Sequence, residues 1–154
     1  MRGKKAKKRQ VESDPLYKSR MVARFINYIM LDGKKSKARN VIYGMLEGLA
    51  EDKKEAIKML DTAIKNVMPK QEVRSRRVGG ATYQIPQALK HDRSEALAFR
   101  WIINVSRQKK GASMEQRLLS EIKAALNSEG SAVKKRQDVE RMADANKAFS
   151  HFRW

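Results

Sequence analysis

Apolar residues recur at helical spacing along most of the chain. From about Leu16 to Leu31, the residues Met21, Val22, Phe25, Ile26, Ile29 and Met30 share one face, and Lys18, Arg20, Arg24 and Asn27 take the other. Asp14-Pro15 marks the turn into this helix, with Pro15 suited to an early helical position. Gly33 stops it. Ser36 reads as the N-cap of a second helix, whose stripe is Ala38, Val41, Ile42, Met45, Leu46 and Leu49. Gly44 and Gly48 weaken that helix by propensity, which points to close packing across them. Asp52-Lys53-Lys54-Glu55 is a capping-box variant opening a third helix, with Ala56, Met59, Leu60, Ala63, Ile64 and Val67 inward and an end at Pro69. A similar box, Asp92-Arg93-Ser94-Glu95, opens a fourth helix running to about Lys110. Its residues Ala96, Leu97, Phe99, Trp101, Ile102, Ile103 and Val105 cover most of the circumference, so it is expected at the centre. Ser113-Met114-Glu115-Gln116 caps a fifth helix that buries Leu118, Leu119, Ile122, Ala125 and Leu126 and ends before Asn127. A last helix carries Val139, Met142, Ala143 and Phe149.

One stretch leaves this spacing. Val73-Arg74-Ser75-Arg76-Arg77-Val78 and Ala81-Thr82-Tyr83-Gln84-Ile85-Pro86 are β-compatible runs flanking Gly79-Gly80, a pair that takes positive φ at low steric cost. With those glycines as the turn, Val78 faces Ala81, Arg76 faces Tyr83 and Arg74 faces Ile85; a wider loop running to Thr82 is the alternative register. In the first register Arg74 and Arg76 share a sheet face with Tyr83, and Arg77 shares the other with Thr82. A two-stranded ribbon does not hold itself up in water, so it belongs on a helical body. Helices that bury their own stripes need no hairpin for closure, which leaves the ribbon free to project as an arginine-loaded finger. The expected fold is therefore mainly α: a six-helix single domain over 14–154 with an inserted two-stranded β-hairpin arm at about 72–89, preceded by a disordered basic N-terminal extension over 1–13.

Charge constrains the function of this chain more than length does. In 154 residues there are 35 Lys and Arg against 17 Asp and Glu, a net +18. Self-repulsion on that scale makes a polyanionic partner the natural explanation. No long apolar span or lipidation motif appears, which favours nucleic acid over a membrane surface. The N-terminus is followed by further charge rather than an apolar core, so it does not read as a secretory signal. The absence of cysteine excludes disulfides and thiolate chemistry and fits a reducing compartment.

The cations gather at element ends: the arm (Arg2, Lys4, Lys5, Lys7, Lys8, Arg9), Lys34-Lys35, the finger (Arg74, Arg76, Arg77), Lys109-Lys110, and Lys134-Lys135-Arg136. With the last helix opening near Ala132, the final trio crowds its positive dipole end. That arrangement is locally unfavourable unless an anion sits there, and such a conflict points to a binding site. Catalytic groups are not visible. His91 beside Asp92 reads as a solvated loop histidine next to a helix cap, and two separated histidines, the other being His151, do not make a zinc site. Gly79-Gly80 lacks the Lys-Ser/Thr ending and following helix of a phosphate loop. Neither metal nor cofactor is expected. Arginines on a ribbon and in loops suit structured RNA, with Tyr83 and the aromatic tail available for stacking, better than duplex DNA read by one exposed helix. A free-standing DNA architectural factor and an RNA-modifying enzyme are the readings set against it.

The run from Val73 to Gln84 also resembles the signature of the bacterial-type family of ribosomal protein seven of the small subunit. Leu97-Ala98-Phe99-Arg100-Trp101-Ile102 is similar to that family's following helix. Ala132 to Val139, Met142 to Phe149 and the ending His151-Phe152-Arg153-Trp154 are similar to its last helix and tail. The motifs keep their order over essentially the whole chain; the departure is Gln87-Ala88-Leu89-Lys90-His91, less β-like than a long second strand calls for. The resemblance implies a non-enzymatic six-helix body with a β-ribbon arm, which binds the 3′ major domain of small-subunit rRNA early and organises its folding in the subunit head. It also implies a place near the exit-site tRNA and the messenger exit path, beside ribosomal protein eleven, in a cytoplasmic or organellar ribosome. Carried onto this sequence, Lys4 to Arg9, Lys34, Lys35 and Lys134 to Arg136 would contact rRNA. Arg74, Arg76 and Arg77, with Gly79, Gly80 and Tyr83, would form the finger facing RNA and the exit site. Phe152, Arg153 and Trp154 would lie toward RNA or the neighbouring protein.

Overall fold

The computed structural model describes residues 9–152 together with Gly3 and Ala6, and of Val78 the backbone alone. In chain order its elements are α1 (Arg20–Ile29), α2 (Lys35–Glu47), α3 (Lys53–Val67), β1 (Gln71–Val78), β2 (Ala81–Ala88), α4 (His91–Gln108), α5 (Met114–Leu126), α6 (Ser131–Ala145) and a closing 3₁₀ segment, Lys147–Phe152. The helical stripes converge as their spacing predicts. Phe25 and Ile26 of α1, Ile42, Met45 and Leu46 of α2, Leu60 and Ile64 of α3, Phe99 and Ile102 of α4, and Leu118 and Ile122 of α5 are all fully buried. Phe25 stacks on Phe99 with ring centroids 5.1 Å apart. Helix α4 packs on α1, α3, α5 and α6, the central position its composition indicated, although Leu97, Trp101 and Val105 are half-buried and Arg100 and Asn104 are exposed. Gly44 and Gly48 face α5: a Cβ at Gly44 would run into the Glu115 carboxylate, and one at Gly48 would sit 2.8 Å from Leu119 Cδ2.

Helix ends depart from the sequence reading where a tertiary partner intervenes. Helix α1 starts at Arg20, not Leu16. The Asp14 carboxylate accepts from the amides of Leu16 and Tyr17, each at 3.1 Å, and so ties residues 14–17 into a turn. Lys18 then takes φ +49°, outside the helical region, and Ser19 becomes the N-cap. Ser36 lies inside α2, whose N-cap position is Lys34 with no side-chain cap. Asp52 and Ser113 do cap, accepting from Lys54 N (3.2 Å) and Gln116 N (3.3 Å). Asp92 does not: α4 begins at His91, and Ser94 donates instead to the Pro69 carbonyl at 2.6 Å, joining α4 to the end of α3. Helix α4 stops at Gln108 rather than Lys110. The last helix ends at Ala145, so Phe149 belongs to the 3₁₀ segment, and Met142 is 52% exposed rather than inward.

The hairpin has the tighter register. Val78 pairs with Ala81, Arg76 with Tyr83, Arg74 with Ile85 and Gln71 with Ala88, while Gly79 (φ +55°) and Gly80 (φ +94°) make the turn. Strand β2 reaches Ala88 despite its weak β composition, because its partner β1 supplies the full ladder and Leu89 N closes it on Lys70 O at 3.0 Å. The ribbon does not project free of the body along its whole length. Ile85 is fully buried, β1 packs on α6, and Glu72 pairs with Arg93 of α4 at 3.0 Å. Gln71 donates to Asp144 at 2.8 Å, and the Lys70 amide to Glu140 at 3.2 Å. The finger is therefore anchored at its base, and its outer half carries the exposed Arg74 and Arg77.

Candidate nucleic-acid interface

Four cations from three separate stretches meet at one end of the helical body. Lys34 and Lys37 from the start of α2, Arg107 from the end of α4 and Arg117 from α5 line a groove of about 490 Å³. Its floor is apolar, made by Ile29, Leu31, Ala38, Val41 and Met114. Two of the arginines are fixed by backbone carbonyls. Arg107 donates to Ile29 O at 3.1 Å, where the C-terminal end of α1 favours a cation, and Arg117 donates to Lys109 O at 2.6 Å. Asp32 is the acid in this groove and lies 3.4 Å from the Lys34 ammonium. Held guanidinium groups above an apolar floor can pair with phosphate while a base packs below.

A second basic cleft lies where residues 9–11 cross α1. Arg9, Arg20 and Arg24 line it together with Tyr28 and Asp92, and Arg20 donates to the Gln10 side chain at 3.4 Å. Arg24 pairs with the buried Glu95 of α4, and the Arg100 guanidinium sits 5.8 Å from the Tyr28 ring centre. Lys35 turns away from its neighbour Lys34: with Arg39 it lines a cleft under residues 10–15. The root of that segment is clasped by Asp14, which is buried and accepts from the Tyr43 hydroxyl at 2.8 Å. Burial and the bond to that carboxylate push the Tyr43 phenol up to about 12, and burial raises Tyr17 beside it, helped by the nearby Glu47 and Asp14 charges.

On the hairpin, Arg74 and Arg77 are exposed and Arg76 is half-buried. The face shared by Arg76 and Tyr83 is covered by the chain's own tail: Tyr83 packs against Phe149 and Phe152 with ring centroids 5.1 and 5.3 Å away. Tyr83 and Phe152, read from sequence as stacking or contact residues, thus meet each other. Gly79 and Gly80 form the exposed tip, and Arg77 shares its outer face with Thr82.

The α5–α6 corner resolves the charge conflict seen in the sequence. Helix α6 does open with Lys134, Lys135 and Arg136 near its N-terminus, but the anion there is the protein's own. Glu121 of α5, 1% exposed, accepts from the Ala132 amide at 2.9 Å through Oε1, and its Oε2 lies 2.6 Å from the Lys109 ammonium. Glu121 thus supplies a buried anion at the helix start from within the protein itself. Lys109 is held in that pair; Lys110, Lys134 and Lys135 are exposed, and Arg136 is half-buried 3.8 Å from Glu140.

Of the site residues read from sequence, Arg2, Lys4, Lys5, Lys7, Lys8, Arg153 and Trp154 lie outside the described residues. The groove adds Lys37, Arg107 and Arg117, and the N-terminal cleft adds Arg20 and Arg24. Lys37 and Arg107 flank the pairs Lys34-Lys35 and Lys109-Lys110, and Arg20 and Arg24 stand on the polar face of the first helix, but only tertiary proximity gathers them and Arg117 into clefts. His91 is exposed at the first position of α4. Among the described residues there is no grouping of three His, Asp or Glu that could hold a metal ion and no helix long and apolar enough to cross a membrane.

The chain is similar to known proteins along nearly its whole length. The sequence model of the family described as Ribosomal protein S7p/S5e matches residues 1–147. A small ribosomal subunit protein uS7 from Thioalkalivibrio sulfidiphilus is 52% identical over 153 residues, covering 99% of each chain. Proteins of the same name from Marinobacter nauticus and Thermotoga neapolitana are similar as well. The first is 52% identical over 150 residues, with 97% of this chain and 96% of that protein covered, and the second is 46% identical over 155 residues with both chains covered completely.

Proposed function

Since the chain belongs to the ribosomal protein S7p/S5e family, a family of structural ribosomal proteins and not of enzymes, we propose that it binds and organises the 3′ major (head) domain of small-subunit rRNA early in assembly. In this reading it acts in the cytoplasmic ribosome, with its hairpin near the exit-site tRNA and the messenger exit path and ribosomal protein eleven as a neighbour. The observation that carries the proposal is the distribution of cations. The groove of Lys34, Lys37, Arg107 and Arg117, the cleft of Arg9 and Arg20, the exposed Arg74 and Arg77 of the hairpin, and the corner of Lys110, Lys134 and Lys135 lie on separate elements of one packed body. Such a surface suits clamping: phosphates from several RNA segments are neutralised at once, and the helical core fixes the distances between them.

Binding of the protein to a transcript of the 3′ major domain, measured over a range of salt concentrations, tests this. With six phosphate contacts, log K falls against log salt with a slope of about −4 to −5, at about 0.7 to 0.9 per contact, and more steeply with more contacts. A flat dependence, or equal affinity for an unrelated duplex, overturns the proposal. Sedimentation of cell extract separates it from a free-standing DNA factor, since a ribosomal component travels with small subunits.

A further inference from the structure

At the α5–α6 corner one buried carboxylate joins three helices. Glu121 comes from the middle of α5. Its Oε1 takes the Ala132 amide of α6 and its Oε2 takes the ammonium of Lys109, the C-cap residue of α4. Ser120 accepts from the same ammonium at 3.0 Å. Gly130, at φ +94°, lets the chain pass over this carboxylate: a Cβ there would stand 3.0 Å from Glu121 Oε1 and 3.1 Å from Ala124 Cβ. The corner is thus built around the charge. We infer that Glu121 is the positioning residue of this basic corner: it supplies the anion the start of α6 requires and withdraws Lys109 from RNA, so that Lys110, Lys134 and Lys135 are the cations presented. This rests on the RNA-binding reading and sharpens it, because it divides two pairs of lysines that look alike in sequence into one structural lysine and three binding ones. It also occupies the Ala132 amide, one of the donors at the start of α6.

The salt slope of binding to the 3′ major-domain transcript tests the division. Lys110→Met lowers the slope by about 0.7 to 0.9, the value for one lost phosphate contact. Lys109→Met leaves it at the wild-type value. Glu121→Gln, which keeps an acceptor for the Ala132 amide but removes the charge, steepens the slope by about the same 0.7 to 0.9, because Lys109 is released toward RNA. A slope that falls with Lys109→Met as it does with Lys110→Met, or that does not change with Glu121→Gln, overturns the inference. Should Lys109→Met fail to fold around its unpaired carboxylate, the double variant Lys109→Met/Glu121→Gln carries the comparison: its slope equals that of wild type, and a shallower one contradicts the assignment. Amide exchange over residues 131–134 tests the positioning without RNA. Glu121→Ala accelerates it, and unchanged exchange overturns the positioning role even if the wild-type protein proves not to bind RNA.

Discussion

Replacing Phe149 by Ala tests whether the finger is held by the chain's own tail. Phe149 is half-buried, 5.1 Å from Tyr83 and 6.4 Å from Phe152 between ring centroids. An aromatic pair contributes about 0.5–1.5 kcal/mol beyond area burial. Full burial of a phenylalanine contributes about 1.5–3 kcal/mol, and half of that applies here. The pair with Phe152 lies within the tail, so the lost pair across to Tyr83 together with half the burial gives about 1–3 kcal/mol for the hairpin. The 3₁₀ segment rests on β2 and α6, so the loss falls on the hairpin and its support rather than on the five-helix core. At about 1.4 kcal/mol per factor of ten, amides of Ala81–Ala88 exchange about tenfold to a hundredfold faster in Phe149→Ala. Amides flanking Leu60 and Phe99, both fully buried, keep their protection. Hydrogen exchange followed by mass spectrometry reads both regions in one experiment. Unchanged exchange in the hairpin shows that the aromatic contacts do not hold it; equal acceleration in the core shows that the tail supports the whole fold.

Three further outcomes follow from the same contacts. Replacing Arg74, Arg76 and Arg77 together by Ala leaves the helical circular dichroism close to wild type, since these residues stand outside the core, while RNA affinity falls; collapse of the helical signal contradicts this. Tyr43→Phe removes the hydroxyl that donates to the buried Asp14 and lowers stability in denaturant titration by about 1–3 kcal/mol. The same variant answers a question of pH. The folded phenol titrates near 12, above its ordinary value of 10, so the folded state keeps a proton that the unfolded chain gives up. Stability from this group is complete below pH 10 and is lost as the pH rises toward 12. Wild type therefore loses more stability than Tyr43→Phe across that window, and parallel losses contradict the assignment.

What the sequence made legible follows from how local each feature is. Helical stripes such as Phe25-Ile26-Ile29 and Leu118-Ile122-Ala125 declare themselves by spacing, and two adjacent glycines able to take positive φ mark the hairpin, while the choice between the tight turn and a wider loop to Thr82 is made by the folded ladder. Caps were less legible, because the same residue types serve other partners: Ser94 reaches the Pro69 carbonyl, and Asp14 shapes a turn that delays α1. The β-compatible runs around Gly79-Gly80 locate the finger, whereas its anchoring depends on Tyr83 meeting Phe149 sixty-six positions later, an encounter that no local pattern encodes. The charge conflict at the start of α6 was visible, but its resolution was not. Glu121 reads as an ordinary polar position on α5 until the fold brings Lys109 and Ala132 to it. The groove shows the same limit. Lys34 was marked by its place beside Lys35, while Arg107 and Arg117 stand ten residues apart and converge only through packing.

The central claim is that separate basic clusters hold separate RNA segments, and the chain offers a clean way to test it because it contains no cysteine. Single cysteines placed at Ser36, between the groove lysines, and at Thr82, on the exposed outer face of the hairpin, can each carry a tethered source of hydroxyl radicals. In complexes with the 3′ major-domain transcript, the account predicts strong cleavage from both positions in two distinct sets of nucleotides. Cleavage no stronger than from an untethered source, or the same nucleotides cut from both positions, contradicts it.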